Sequence, residues 1–141
     1  EASITVAQEI AALIRKKQRE DKNCVLGLAT GSSPIKVYEE LVRMHQEEDL
    51  SFENVVTFNL DEYFPMDRNN IQSYFYFMHE HLFNHVNILP ENINIPDGTV
   101  SIENLYQYCI DYEMSIKKAG GLLRLTIETV GQDKEKDFGD L

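Results

Sequence analysis

Two short apolar runs constrain the fold more than any other feature of this sequence. The first covers residues 24–29 (CVLGLA) and is typical of a strand buried on both faces, and the second, residues 55–60 (VVTFNL), also predicts a strand. Apolar residues recur at helical spacing over residues 4–14, and again over residues 37–42 between the two runs. Strands joined through a helix are expected to be parallel, because the crossover returns the chain to the same end of the sheet.

Two further helices are predicted beyond the second run. Ser73 is a candidate N-cap for the first of them. The second runs from about residue 101 to residue 118 and ends at the glycine pair 120–121. Residues 90–99 between these helices predict a turn-rich connection, and residues 122–129 have strand character. The predicted fold is α/β and three-layered, with an incomplete doubly wound parallel sheet and helices on both faces. Residues 1–122 form its domain, and residues 123–141 are a divergent strand and charged tail.

Composition restricts the partners that this chain can have. Its 141 residues carry a net charge of −11, which argues against a nucleic-acid surface but leaves room for a small phosphate held by backbone N–H groups. No apolar run approaches the roughly 20 residues that cross a bilayer, and residues 1–8 lack the order of a secretory signal. Cys24 and Cys109 fit no zinc motif and are too few for a disulfide scaffold, so a reducing cytoplasm is expected.

A candidate site lies where the predicted strands end, because ligands of open parallel sheets bind beyond the carboxyl ends of the strands. The loop after the first strand consists of Thr30, Gly31, Ser32 and Ser33. Glycine permits a tight turn and helix N-terminal N–H groups bind anions, so this loop can hold a phosphate. An ordinary turn, with Ser33 as N-cap and Pro34 in the first turn of the helix, fits the local sequence equally well.

Two carboxylates and a phenol follow the second strand: Asp61, Glu62 and Tyr63. A partly desolvated carboxylate at a strand end can act as a general base. Local sequence by itself favours a turn-capping role for Asp61 and a solvated position for Glu62.

Histidines and aromatic residues in the third helix favour packing over chemistry. His81 and His85 have the four-residue spacing of metal ligands, but no third ligand accompanies them, so we predict packing and surface hydrogen bonds rather than a metal site. The aromatic residues at positions 74–77 and 83 have helical spacing and are more often core than a binding groove.

Several blocks of the sequence resemble one enzyme family. Residues 27–34 (GLATGSSP) resemble the phosphate loop of the glucosamine-6-phosphate deaminases, and residues 51–63 (SFENVVTFNLDEY) resemble their most recognisable N-terminal block. Similar blocks follow in the family's order at residues 72–74, 77–83 and 91–98, so the resemblance covers roughly residues 1–122. Galactosamine-6-phosphate isomerases and 6-phosphogluconolactonases share the fold and the loop, although the NLDEY block favours the amino-sugar isomerases over the lactonases.

The resemblance implies conversion of glucosamine 6-phosphate and water into fructose 6-phosphate and ammonia, by aldose–ketose isomerisation and deamination. Asp61 matches the base that moves a proton from C2 to C1, with Glu62 and Tyr63 as possible supporting residues behind it. The loop residues that match the grip on the 6-phosphate are Thr30, Gly31, Ser32 and Ser33. The implied partner is a small amino-sugar phosphate, and no metal or organic cofactor is implied.

The resemblance stops after the glycine pair 120–121. The family continues there with a glycine-rich loop that bears an Asp, a His and a Glu, and residues 123–141 do not match that loop. The chain therefore resembles an N-terminal half, from truncation or deletion, and we expect weak or absent turnover because incomplete catalytic sets commonly lose several powers of ten in rate. We also expect a homo-oligomer, because half a sheet leaves an edge and apolar surface uncovered. A non-catalytic sugar-phosphate-binding module is the alternative from another functional class.

Overall fold

The computed structural model describes residues 2–120, so the predicted strand over residues 122–129 and the boundary after residue 122 lie outside the described residues. Two short 3₁₀ turns, Phe83–His85 and Pro90–Asn92, lie between the third helix and the third strand. The helices and strands, in chain order, are α1 (Ala2–Arg19), β1 (Cys24–Leu28), α2 (Ile35–Glu47), β2 (Val55–Asn59), α3 (Tyr74–His81), β3 (Ile93–Asn94) and α4 (Ile102–Lys118).

The described strands form one parallel sheet in the order β1-β2-β3. The register pairs Cys24 with Val55 at one end and Leu28 with Asn59 at the other, so β1 and β2 end at the same edge. The strand β3 lies inside the segment that we predicted as a turn-rich connection. A strand of 2 residues shows no periodicity in sequence, and its pairing with β2 depends on tertiary contacts.

Helices cover both faces of this sheet, as predicted. On one face, α1, α2 and α3 pack in a single core with Leu26 and Leu28 of β1. On the other face, Ile116 of α4 packs against Val25 and Phe58. Successive strand residues point to opposite faces, so all of β1 is buried and the run 24–28 has no polar position. The three-layer α/β fold is thereby confirmed.

The predicted helix ends are correct at α3 and α4 and wrong at α2. The Ser73 hydroxyl accepts the Tyr76 N–H at 2.9 Å and caps α3, while Gly120 follows α4 with φ of +102°, the left-handed conformation that ends many helices. Ser33 is not the N-cap of α2, because Pro34 occupies that position. The Ile35 N–H lies 3.4 Å from the Ser32 carbonyl, so Ser33 is a central residue of a tight turn. No helix within residues 2–120 has both the length and the apolar character needed to cross a membrane.

Candidate active site

The carboxyl ends of β1 and β2 border one cavity of about 300 Å³. This volume lies at the lower end of the ~300–1,000 Å³ that is usual for small-molecule sites. The structure thus brings the loop 30–33 and Asp61 together in the wall of one cavity. The residues that line it are Leu28, Ala29, Thr30, Gly31, Ser32, Ser33, Pro34, Leu60, Asp61 and Tyr74.

The loop 30–33 depends on the backbone conformation of Gly31. Its φ is +107°, a region that residues with a Cβ rarely adopt. Thr30 is half-buried, whereas Ser32 and Ser33 are exposed. The loop therefore presents only small side chains of its own to the cavity.

Tyr38 anchors the point at which β1 passes into this loop. Its side chain is fully buried, and its hydroxyl accepts the Ala29 N–H at 3.2 Å and donates to the Ala29 carbonyl. Burial raises the pKa of Tyr38, so the phenol stays protonated and can keep donating. Helical periodicity places Tyr38 among the apolar residues of a helix, and its hydroxyl is the one sign in the sequence of this second role.

Of the two helices that begin at the cavity, α3 is capped by side chains and α2 is not. In α3, Ser73 accepts the Tyr76 N–H, and Glu62 accepts the N–H groups of Tyr74 at 2.8 Å and Phe75 at 3.0 Å. Among the described residues, no side chain caps α2, whose N-cap is Pro34. The first turn of α2 is consequently the one where an anion can complete the hydrogen bonding and meet the positive end of the helix dipole.

The residues after β2 divide into one that faces the cavity and one that holds the backbone. Asp61 is exposed and lines the cavity. Glu62 is not the solvated neighbour that local sequence predicts. Its carboxylate accepts three backbone N–H groups, that of Tyr63 at 3.0 Å and those of Tyr74 and Phe75 at the start of α3. It therefore ties the end of β2 to the start of α3. Tyr63 is 51% exposed and its ring centroid lies 4.7 Å from that of Tyr74.

Tyr74 is a cavity residue that sequence reasoning placed in the core. The core interpretation is correct for Phe83, which is buried, and for Phe75 and Phe77, which pack against the core. Tyr74 instead lines the 300 Å³ cavity and also a neighbouring cavity of about 770 Å³. Hydrogen bonding with the Tyr63 phenol, then burial and the charge of Asp61, raise the pKa of Tyr74 to about 12, and hydrogen bonding with Thr30 opposes this shift. Helical spacing does not distinguish such a residue from its phenylalanine neighbours.

The histidines of α3 and the following turn contact protein groups. His79 Nδ1 lies 2.9 Å from the Phe75 carbonyl, and His85 Nε2 lies 2.7 Å from the Glu80 carbonyl. The His81 ring centroid is 4.4 Å from that of Phe77. These contacts are the packing and hydrogen bonds that we predicted for the histidines. Separately, residues 2–120 contain no group of three His, Cys, Asp or Glu side chains placed to hold a metal.

Comparison with known proteins identifies the family. The model of a family described as glucosamine-6-phosphate isomerases/6-phosphogluconolactonase matches residues 1–134. The chain belongs to this family. A glucosamine-6-phosphate deaminase from Thermoanaerobacter sp. is 44% identical to it over 117 residues, which are 83% of this chain and 46% of that protein. The resemblance stated from the sequence blocks is confirmed.

Solved structures of the glucosamine-6-phosphate isomerase/6-phosphogluconolactonase family share the fold. A monomeric glucosamine-6-phosphate deaminase matches with a TM-score of 0.78 and 37% identity, over 85% of this chain and 47% of that chain. A 6-phosphogluconolactonase from Thermotoga maritima matches with a TM-score of 0.69 and 26% identity, over 89% of this chain and 55% of that one. The present chain thus spans about half the length of the relatives it matches.

Proposed function

We propose that this chain carries the general base and part of the phosphate site of a glucosamine-6-phosphate deaminase. The observation that carries the proposal is the shared cavity, whose wall contains both the loop 30–33 and Asp61. In the proposed reaction, glucosamine 6-phosphate and water give fructose 6-phosphate and ammonia. The protein acts in a reducing cytoplasm, which suits its free cysteines, buried Cys24 and exposed Cys109.

The proposed chemistry needs one carboxylate base beside C1 and C2 of the sugar, and an anion site for the phosphate at the other end of the sugar. The phosphate binds to the loop 30–33 and the uncapped first turn of α2. The open-chain sugar then extends towards Asp61, whose carboxylate takes a proton from C2 and returns it to C1 through an enediol-like intermediate. A single fixed carboxylate suits this transfer, because both carbons lie within its reach on one face of the sugar. The resulting C2 imine, a tautomer of the amino aldehyde, adds water at C2 and releases ammonia, which leaves the C2 ketone of fructose 6-phosphate.

Identity favours the deaminases over the lactonases as the functional model. The Thermoanaerobacter deaminase is 44% identical, whereas the lactonase structure is 26% identical. A galactosamine-6-phosphate isomerase is an alternative, because no cavity residue identified above separates sugars by their C4 configuration. A non-catalytic sugar-phosphate-binding module is the other alternative, and it predicts binding without proton transfer.

Binding and turnover are best measured separately. Within the part of the chain that the structure describes, no lysine or arginine lines the cavity. The phosphate is therefore bound there by neutral N–H and hydroxyl groups without the help of a positive charge. We therefore predict weak binding by the 141-residue chain, and weak or absent ammonia release. Exchange of the C2 proton of the sugar with deuterated water reports the step assigned to Asp61, and Asp61→Asn should abolish it while leaving binding in place.

Two glycines allow a matched test of the phosphate loop. Gly31 and Gly120 have φ of +107° and +102°, and a Cβ on either meets nothing described within 4 Å. An alanine at either position should therefore strain the backbone similarly, by about 1–3 kcal/mol. In calorimetric titrations with glucosamine 6-phosphate and with inorganic phosphate, Gly31→Ala should weaken both affinities about tenfold, and Gly120→Ala should change neither. Equal affinities for the two variants, or no binding by the wild-type chain, would overturn the proposal.

A further inference from the structure

We propose that Tyr74 is a substrate-binding residue of this site, whose hydroxyl donates a hydrogen bond to an oxygen of the sugar between the loop 30–33 and Asp61. The inference rests on the proposed function and adds to it a residue that selects for the sugar rather than for the phosphate.

Tyr74 lies in the wall of both cavities described above. It lines the cavity whose wall also contains the loop 30–33 and Asp61. It borders the adjoining 770 Å³ cavity as well, together with Thr30 and Gly31. A sugar phosphate with its phosphate at the loop and its C2 at Asp61 would therefore occupy a cavity whose wall includes Tyr74. The neighbouring wall residues Leu28 and Leu60 have no polar side-chain atom to offer the sugar.

Glu62 and Tyr63 hold Tyr74 in place. Glu62 accepts the Tyr74 N–H at 2.8 Å and the Phe75 N–H at 3.0 Å, so the backbone that bears the phenol is held from the side of β2. The Tyr63 ring lies 4.7 Å from the Tyr74 ring, which restricts the side chain. Glu62 directly follows Asp61, so one short segment carries the base and holds the phenol. We assign Glu62 as a positioning residue that acts through Tyr74.

The protonation state of Tyr74 fits a donor rather than a second base. Hydrogen bonding with Tyr63, burial and the charge of Asp61 raise its pKa to about 12, whereas hydrogen bonding with Thr30 acts in the opposite direction. The phenol therefore keeps its proton at neutral pH. The carboxylate can accept a proton while the phenol donates a hydrogen bond, so the two neighbouring groups do not compete for one role.

The chain offers a matched control for the test. Tyr76 lies on the same helix, is 39% exposed, and is not among the described residues that line either cavity. Calorimetric titration of the full 141-residue chain with glucosamine 6-phosphate and with inorganic phosphate separates sugar contacts from phosphate contacts. Tyr74→Phe should weaken sugar-phosphate binding about three- to tenfold, the range of one lost hydrogen bond, and leave phosphate binding within about twofold. Tyr76→Phe should change neither.

The positioning role of Glu62 is tested by measuring sugar-phosphate binding in variants of Glu62. Glu62→Ala should weaken sugar-phosphate binding about as much as Tyr74→Phe does, and Glu62→Gln should recover part of that loss because its amide oxygen can still accept an N–H. The double variant should be no weaker than the worse single variant, because both changes remove the same contact. Losses that multiply in the double variant would overturn the role of Glu62.

The outcomes distinguish this inference from the proposed function. If the wild-type chain binds both probes and Tyr74→Phe binds them equally well, Tyr74 is not a sugar contact and the proposed function stands. If Tyr74→Phe weakens both probes equally, its effect is structural and the assignment is wrong. If the wild-type chain binds neither probe, the proposed function fails and the assignment fails with it.

Discussion

The hydroxyl of Tyr38 holds both polar groups of the Ala29 backbone at the end of β1. Tyr38→Phe removes that hydroxyl from a fully buried side chain, so the two backbone groups lose their side-chain partner. We predict a loss of about 1–3 kcal/mol in the free energy of unfolding. Urea denaturation measures it, with Tyr106→Phe as a control on a side chain that is 79% exposed and should change stability by less than about 0.5 kcal/mol. Equal stability of the two variants would show that water replaces the hydroxyl at no cost.

Residues that line the cavity could be predicted from sequence where their type and position coincide with a strand end. Asp61 and the loop 30–33 met that condition, because a buried apolar run ends directly before each. Tyr38 and Tyr74 did not, because helical periodicity reports which face of a helix is buried and says nothing of what a hydroxyl reaches. The solvated position that local sequence predicts for Glu62 is wrong for a related reason, since its partners at Tyr74 and Phe75 are distant in sequence.

At the scale of secondary structure, the turn around Gly98 packs against the segment between β2 and α3. A Cβ at Gly98 would lie 2.5 Å from the Tyr63 carbonyl oxygen and 2.8 Å from that of Met66, while the Met66 N–H donates to the Gly98 carbonyl at 2.9 Å. We predict that Gly98→Ala displaces this backbone, lowers the free energy of unfolding by about 1–3 kcal/mol and weakens sugar-phosphate binding by moving Tyr63 from Tyr74.

A control for this prediction lies in the same turn. Thr99→Ala removes a hydroxyl that donates to Asp97 at 2.6 Å but adds no atom near Tyr63. It should lower stability slightly and leave binding unchanged. Unfolding and calorimetric titration of both variants check the prediction, and a Gly98→Ala protein that behaves like Thr99→Ala would contradict it.

Element type followed from sequence wherever burial was continuous or periodic. The strand β1 was predictable because every residue of it is buried, and α1 because its buried residues recur on one face. The start of α2 was not, because Ser33 and Pro34 satisfy the statistics of both a capped helix and a tight turn. Gly98 was correctly assigned to a turn, but its close approach to another segment is a tertiary fact that the local sequence does not contain.

For the molecule as a whole, exposed apolar surface and sheet edges favour self-association, and net charge opposes it. The helix α4 exposes apolar side chains, with Ile102 at 78%, Tyr106 at 79% and Met114 at 60% exposure. Within residues 2–120, β1 and β3 are the outer strands of the sheet. Both features favour self-association, whereas a net charge of −11 opposes it. A monomeric deaminase in the family shows that association is not a property of every relative.

The balance of these tendencies predicts a response to salt. Salt screens like-charge repulsion over about 10 Å at 0.1 M and leaves apolar contact intact, so association of two copies through α4 should strengthen as salt rises. Light scattering at micromolar concentration, with and without added salt, measures this directly. Ile102→Glu combined with Tyr106→Glu should suppress the salt-dependent increase, while Ile4→Glu, on α1 and 42% exposed, adds charge elsewhere and should suppress it less. A sharp monomer peak at every salt concentration would show that the exposed face of α4 does not bind a second copy.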